Sequence, residues 1–155
     1  MSDLAHHSID DDLARLNRIS GAASAPDFLR LAIRGAYRDR IALVVSGGAA
    51  STVLLHMVAG IDRNTPVIVP DGPVLQAPIA RLGLVDIRPA ASLALALDGF
   101  EAWVDGRPAA GGRRSLVEAV DGRLKLDPLA SWSARDIETY LIANSLQAGA
   151  PAPHH

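Results

Sequence analysis

The chain has 155 residues, of which 49% are hydrophobic, enough for one domain to bury a substantial core. Its net charge is −2, and 15 basic and 17 acidic residues are scattered along its length, which argues against the concentrated basic face of a nucleic-acid-binding protein. There is no cysteine, so these residues can form no disulfide, thiolate metal site, iron–sulfur cluster or thiol nucleophile.

No apolar run reaches the roughly 20 residues of a membrane span, and Met1-Ser-Asp-Leu-Ala-His6-His7 lacks the basic start and apolar core of a signal peptide. A cytoplasmic protein with neither a membrane nor a nucleic acid as partner is expected. Residues 1–25 read as a helical or mobile N-terminal segment, in which Asp10, Asp11 and Asp12 precede Leu13, Leu16 and Ile19, and Gly21 ends the helix. Three adjacent carboxylates cannot converge on one cation from a helix, so they read as a solvated cap, and no metal site is expected. His6 and His7 receive no role.

Pro26-Asp27 opens a helix that runs through Phe28, Leu29 and Ile33 to Ala36, and Tyr37 to Arg40 leads into a strand at Ile41 to Val45. The β-branched content of that strand suits a buried position in a parallel sheet. Gly47 and Gly48 then allow positive φ or a close backbone approach. From Ala49 the spacing of Val53, Leu54, Met57, Val58 and Ile61 is helical. A strand, a glycine turn and a helix start together place backbone N–H groups and a positive dipole end where an anion can bind. Ser46, Ser51 and Thr52 add hydroxyl donors. The same turn also serves α/β proteins as a plain connection, and it is neither a Walker loop nor the Gly-x-Gly-x-x-Gly fingerprint. His56, within the apolar helix, reads as a satisfied, partly buried residue.

Val67 to Val69 is a second strand, ended by Pro70-Asp71-Gly72-Pro73. The strand–helix–strand order implies a right-handed parallel unit with ligands beyond the carboxyl ends of the strands, so Asp71 is expected to face the same crevice as Ser46, or else simply to form the turn. A helix over Leu75 to Leu82 with Gly83 as its cap follows, then a strand over Leu84 to Pro89 and an apolar helix over Ser92 to Leu97. A fourth strand with its turn spans Phe100 to Gly106. Arg107, Arg113, Arg114, Arg123 and Lys125 then cluster around Gly111-Gly112, where guanidinium groups suit phosphate or sulfate, although such a loop can also be merely solvated. The Pro/Ala/Gly tail at 148–155 reads as disordered.

Three stretches together carry a resemblance. Ser46-Gly47-Gly48-Ala49-Ala50-Ser51 resembles the Ser-Gly-Gly-x-Asp-Ser phosphate loop of the adenine-nucleotide α-hydrolase-like superfamily, with Ala50 at the acidic position. Ala102-Trp103-Val104-Asp105-Gly106-Arg107 is similar to the Ala-Trp-Ile-Thr-Gly-x-Arg-Arg stretch of phosphoadenosine phosphosulfate (PAPS) reductases. Leu124-Lys125-Leu126-Asp127-Pro128-Leu129-Ala130-Ser131-Trp132-Ser133 is similar to their Lys-Ile-Asn-Pro-Leu-Ala-Asp-Trp-Ser stretch, and the likeness runs on through Asp136, Ile137 and Tyr140. Val69-Pro70-Asp71-Gly72 is a weakened form of their Leu-Asp-Thr-Gly motif.

The resemblance covers residues 26–147 as one nucleotide-binding domain. It implies a three-layer, Rossmann-like α/β fold with a mainly parallel sheet of four or five strands and helices on both faces. It also implies a protein of sulfate assimilation that binds an adenine nucleotide or sulfonucleotide. The phosphate would lie on Ser46, Gly47, Gly48, Ser51 and Thr52, near Asp71 and Gly106, and a second anionic group would lie on Arg107, Arg113, Arg114 and Lys125. The reductases attack sulfur with a cysteine near their carboxyl end, so this chain looks like a shortened, non-catalytic member that requires no cofactor, its need for magnesium left open. Two rivals stay in view. One is an ATP-pyrophosphatase-type enzyme that adenylates a substrate. The other is a regulatory or structural subunit that docks on a sulfur-metabolism enzyme or on a second copy of itself, with the Leu93 to Leu97 helix as a contact face.

Overall fold

The computed structural model describes residues 24–45, 48–70, 82–106 and 117–146. The expected helices near 13–19 and 75–82, the tail, and the domain limits at 25 and 147 fall wholly or partly outside those residues. Helix α1 spans Ala25–Leu31, with the Ser24 hydroxyl accepting from the Asp27 amide at 3.3 Å. The helix expected to continue to Ala36 changes pitch and becomes a π turn over Ala32–Ala36. That turn carries Arg34, whose guanidinium donates through Nε and Nη2 to the Ile61 carbonyl at 2.9 and 2.5 Å. It thereby satisfies an otherwise orphaned carbonyl at the end of helix α2, Ala49–Ile61.

Strand β1, Ile41–Val44, is buried along its whole length. It pairs in parallel with β2, Val67–Val69, on one side and with β4, Ala102–Asp105, on the other. Strand β3, Ile87–Pro89, extends the sheet beyond β2, and helix α3, Leu93–Ala96, follows it with Ser92 as N-cap. The sheet has six strands in the order β3-β2-β1-β4-β6-β5, with β5 at Val117–Val120 and β6 at Arg123–Leu126. Every neighbouring pair is parallel except β5 and β6.

The extra strands come from a hairpin whose two-residue turn is Asp121-Gly122, at φ 51° and 80°. Left-handed angles at both positions match the twist of the flanking strands, which is why Asp-Gly joins strands so tightly. Helix α4, Ala134–Ala143, closes the described fold. It is started by a capping box in which the Asp136 amide donates to Ser133 Oγ at 3.0 Å and the Ser133 amide donates to the Asp136 carboxylate at 2.9 Å.

Strand alternation divides the core. Ile41, Leu43, Val45, Val67, Val69, Ala102, Val104, Leu124 and Leu126 join α1, the π turn and α2 in the main cluster, with Ile137, Tyr140 and Leu141 of α4 packed against it. Ala42, Val44, Ile68 and Trp103 face the other way, toward Leu97, with Leu93 and Ala96 of α3 against them. Leu93 and Ala96 of α3 are thus partly buried against the sheet, while Ala94 is exposed and Leu95 is 77% exposed.

Candidate functional site

Strand order reverses at β1: the chain leaves it for β2 and β3 on one side, and β4 lies on the other. Ligands of open α/β sheets bind beyond the carboxyl ends at such a reversal. Here that point is framed by Gly48, which follows β1, and Gly106, which follows β4. Gly48 is the N-cap of α2 at φ 129° and ψ 169°, a region essentially confined to glycine, and no side chain caps the helix. The first bond of the helix runs from the Thr52 amide to the Gly48 carbonyl at 3.2 Å. The amides ahead of it lie in the turn that has no intrahelical acceptors.

The Gly106 amide donates to the Val44 carbonyl at 2.7 Å, and the Ser51 hydroxyl donates to the Gly106 carbonyl at 2.5 Å. The start of α2 is thus fastened to β4 across β1. A Cβ at Gly106 would lie 3.0 Å from the Val44 carbonyl oxygen, 3.2 Å from Ser51 Oγ and 3.3 Å from Leu54 Cδ1, so any other residue would make these neighbours give by a few tenths of an ångström. The Thr52 hydroxyl donates to the Gly48 carbonyl at 3.0 Å. Both hydroxyl residues are buried and spend their single proton on main-chain carbonyls. Ala50, at the acidic position of the resembled motif, packs half-buried against the main core.

Of the residues expected to form the site, the structure brings together Gly48, Ser51, Thr52 and Gly106. Lys125 lies on the adjacent strand β6, its Nζ 3.5 Å from the Asp105 carboxylate and 3.2 Å from that of Glu118. Ser46, Gly47, Asp71, Arg107, Arg113 and Arg114 lie outside the described residues. Arg123, also expected in the basic cluster, is described without its arginine neighbours there. It begins β6, where Nε donates to the Phe100 carbonyl at 3.1 Å, beside the amino end of β4. Two acidic residues enter that the sequence reading passed over. Asp105 ends β4, and Asp127, 5% exposed, follows β6. Their signal was the motif comparison itself, since they stand where the resembled stretches have threonine and asparagine. Among the described residues no group of three or more His, Cys, Asp or Glu side chains is placed to hold a metal ion.

His56 has a partner: its Nδ1 lies 2.7 Å from the Tyr140 hydroxyl, and Tyr140 in turn leans on Trp132 with ring centroids 6.0 Å apart. This contact joins α2 to α4. Burial pushes the Tyr140 phenol above its ordinary value of 10.0. The folded state therefore holds that proton more tightly than the unfolded chain does. Its stabilising effect is complete below about pH 10 and is lost as pH rises toward the elevated value. Urea midpoints measured between pH 8 and 11 are expected to fall more steeply for the wild type than for Tyr140→Phe; parallel curves would refute this.

Among the described residues no helix is long and apolar enough to cross a membrane. A scan against protein-family models finds no match. The chain is 31% identical over 176 aligned positions to the adenosine 5′-phosphosulfate reductase of Mesorhizobium japonicum, covering 86% of this chain and 69% of that protein. It is 29% identical over 171 positions to the adenosine 5′-phosphosulfate reductase of Chelativorans sp., covering 82% of this chain and 69% of the relative. The crystal structure of the PAPS reductase of Candida auris, a phosphate complex, superposes with a TM-score of 0.72 over 88% of this chain and 87% of that one. At 16% identity that likeness establishes the Rossmann-like α/β fold. Identity at this level over more than two thirds of a curated reductase, together with the shared fold, means that the chain belongs to the adenosine 5′-phosphosulfate and PAPS reductase family.

Proposed function

We propose that this protein binds an adenine sulfonucleotide of sulfate assimilation without reducing it. The observation that carries the reading is the open, glycine-only start of α2 at Gly48, locked to β4 through Gly106 where the strand order reverses. A phosphate seated there would accept from backbone amides at the positive end of a 13-residue helix. Ser46, Gly47 and Gly48 would form its loop, with Ser51 and Thr52 bracing the turn from inside and Asp71 at its rim. The second anionic group would lie toward Arg107, Arg113, Arg114 and Lys125. The relatives named as adenosine 5′-phosphosulfate reductases support the ligand class, and the lack of cysteine in these 155 residues supports the absence of thiol-dependent turnover.

The test is a thermal-shift and calorimetric screen against adenosine 5′-phosphosulfate, PAPS, 3′,5′-ADP, ATP and AMP, with and without magnesium. A ligand at 100 times its dissociation constant adds about 2.7 kcal/mol of stability. Selective binding of a sulfonucleotide or 3′,5′-ADP, weakened in Arg113→Ala/Arg114→Ala, is the expected result. Magnesium-dependent binding of ATP alone would favour an adenylating enzyme instead. No binding at millimolar concentration would leave a subunit that works through protein contacts.

A further inference from the structure

Among the described residues, the cationic side chains on β4, β5 and β6 are Arg123 and Lys125. Arg123 is committed to the Phe100 carbonyl at the amino end of β4, away from the crevice. Lys125 reaches the other way, to Asp105, the last residue of β4 and the register partner of Val44 at the end of β1. Across the hairpin the same ammonium meets Glu118, its register partner on β5. The three side chains together carry a charge of −1, so an anion approaching this strand end meets an ammonium already matched by two carboxylates.

We propose that Asp105 and Glu118 are an internal competitor for Lys125, and that a ligand's anionic group gains this ammonium only by displacing them. The inference rests on the sulfonucleotide reading and adds to it a specificity-determining residue that holds affinity down. The two carboxylates are unequal. Glu118 makes the shorter contact, but its side chain is 46% exposed and water screens it, whereas that of Asp105 is 11% exposed. Burial outweighs a difference of a few tenths of an ångström, so Asp105 is the stronger competitor.

Calorimetric titration with adenosine 5′-phosphosulfate at low ionic strength tests this, with thermal midpoints recorded to confirm folding. Asp105→Asn is expected to bind at least about tenfold more tightly than the wild type, because a charge-assisted competitor is removed. Glu118→Gln is expected to gain only about twofold to threefold. The Asp105→Asn gain must vanish in the D105N/K125M double variant. A D105N affinity equal to wild type, or a gain that survives loss of Lys125, overturns the inference while leaving ligand binding intact. Binding by D105N where the wild type shows none would support it, since the competitor would then be fully effective. If no variant binds, the sulfonucleotide reading falls and takes this inference with it. Should D105N fail to fold, Glu118→Gln on the edge strand decides: a gain of about twofold to threefold that disappears in E118Q/K125M supports the competitor, and no gain refutes it.

Discussion

Gly106→Ala is expected to lower the unfolding free energy by about 1–3 kcal/mol and to weaken ligand binding at the same time. The new methyl group would press on the Val44 carbonyl oxygen at 3.0 Å, Ser51 Oγ at 3.2 Å and Leu54 Cδ1 at 3.3 Å; the first is backbone, and the other two belong to buried side chains. Relief requires β4 to move from β1 or the first turn of α2 to lift, and either movement strains the Ser51 to Gly106 hydrogen bond. Gly106→Val should be worse, because its branched Cβ enlarges the same clash. Gly48→Ala is expected to cost a similar amount for a different reason. A Cβ there meets nothing within 4 Å, but φ of 129° is closed to alanine. Chemical denaturation of the three variants, with ligand titrations alongside, checks the prediction. A Gly106→Ala protein as stable as wild type would mean that the helix start and β4 are not rigidly joined.

The parallel half of the sheet was legible because its strands are short apolar runs punctuated by Gly, Pro and Asp, and each was placed within about three residues. The hairpin was not, because Arg123 and Lys125 were read for their charge. Yet Val117-Glu-Ala-Val120 and Arg123-Leu-Lys-Leu126 alternate around Asp121-Gly122, which is a strand–turn–strand pattern. Once the pattern is read as strand, Arg123 and Lys125 face away from Leu124 and Leu126, and their distance from the crevice is set by register. The site was legible in part for a related reason. A glycine turn between strand and helix announces backbone donors, so Gly48 could be located. That Ser51 and Thr52 turn their hydroxyls inward depends on what packs against them, and Gly106 lies 55 residues from Ser51 in the chain. The pairing of Lys125 with Asp105 is of the same long-range kind.

Given adenosine 5′-phosphosulfate or PAPS and an excess of a dithiol reductant, a protein of this sequence is expected to release no sulfite above the protein-free rate. Converting the sulfur of the sulfonucleotide to sulfite takes two electrons. In the resembled reductases a cysteine thiolate attacks the sulfur and expels the nucleotide; a second thiol attacking that cysteine's sulfur then expels sulfite, and the disulfide so formed supplies the two electrons. These 155 residues contain no thiol to begin that sequence. A hydroxyl cannot replace it, since attack by serine or threonine oxygen would at most transfer the sulfuryl group without reducing it. The Ser51 and Thr52 hydroxyls are moreover spent on the carbonyls of Gly106 and Gly48, and His56 is engaged by Tyr140. Release of labelled sulfite, followed with and without protein under conditions where binding is saturated, gives the answer. Sulfite formed at an enzyme-like rate would show that the electrons pass directly from the reductant to a bound and activated sulfonucleotide. Saturated binding with no sulfite would separate recognition from reduction within one family.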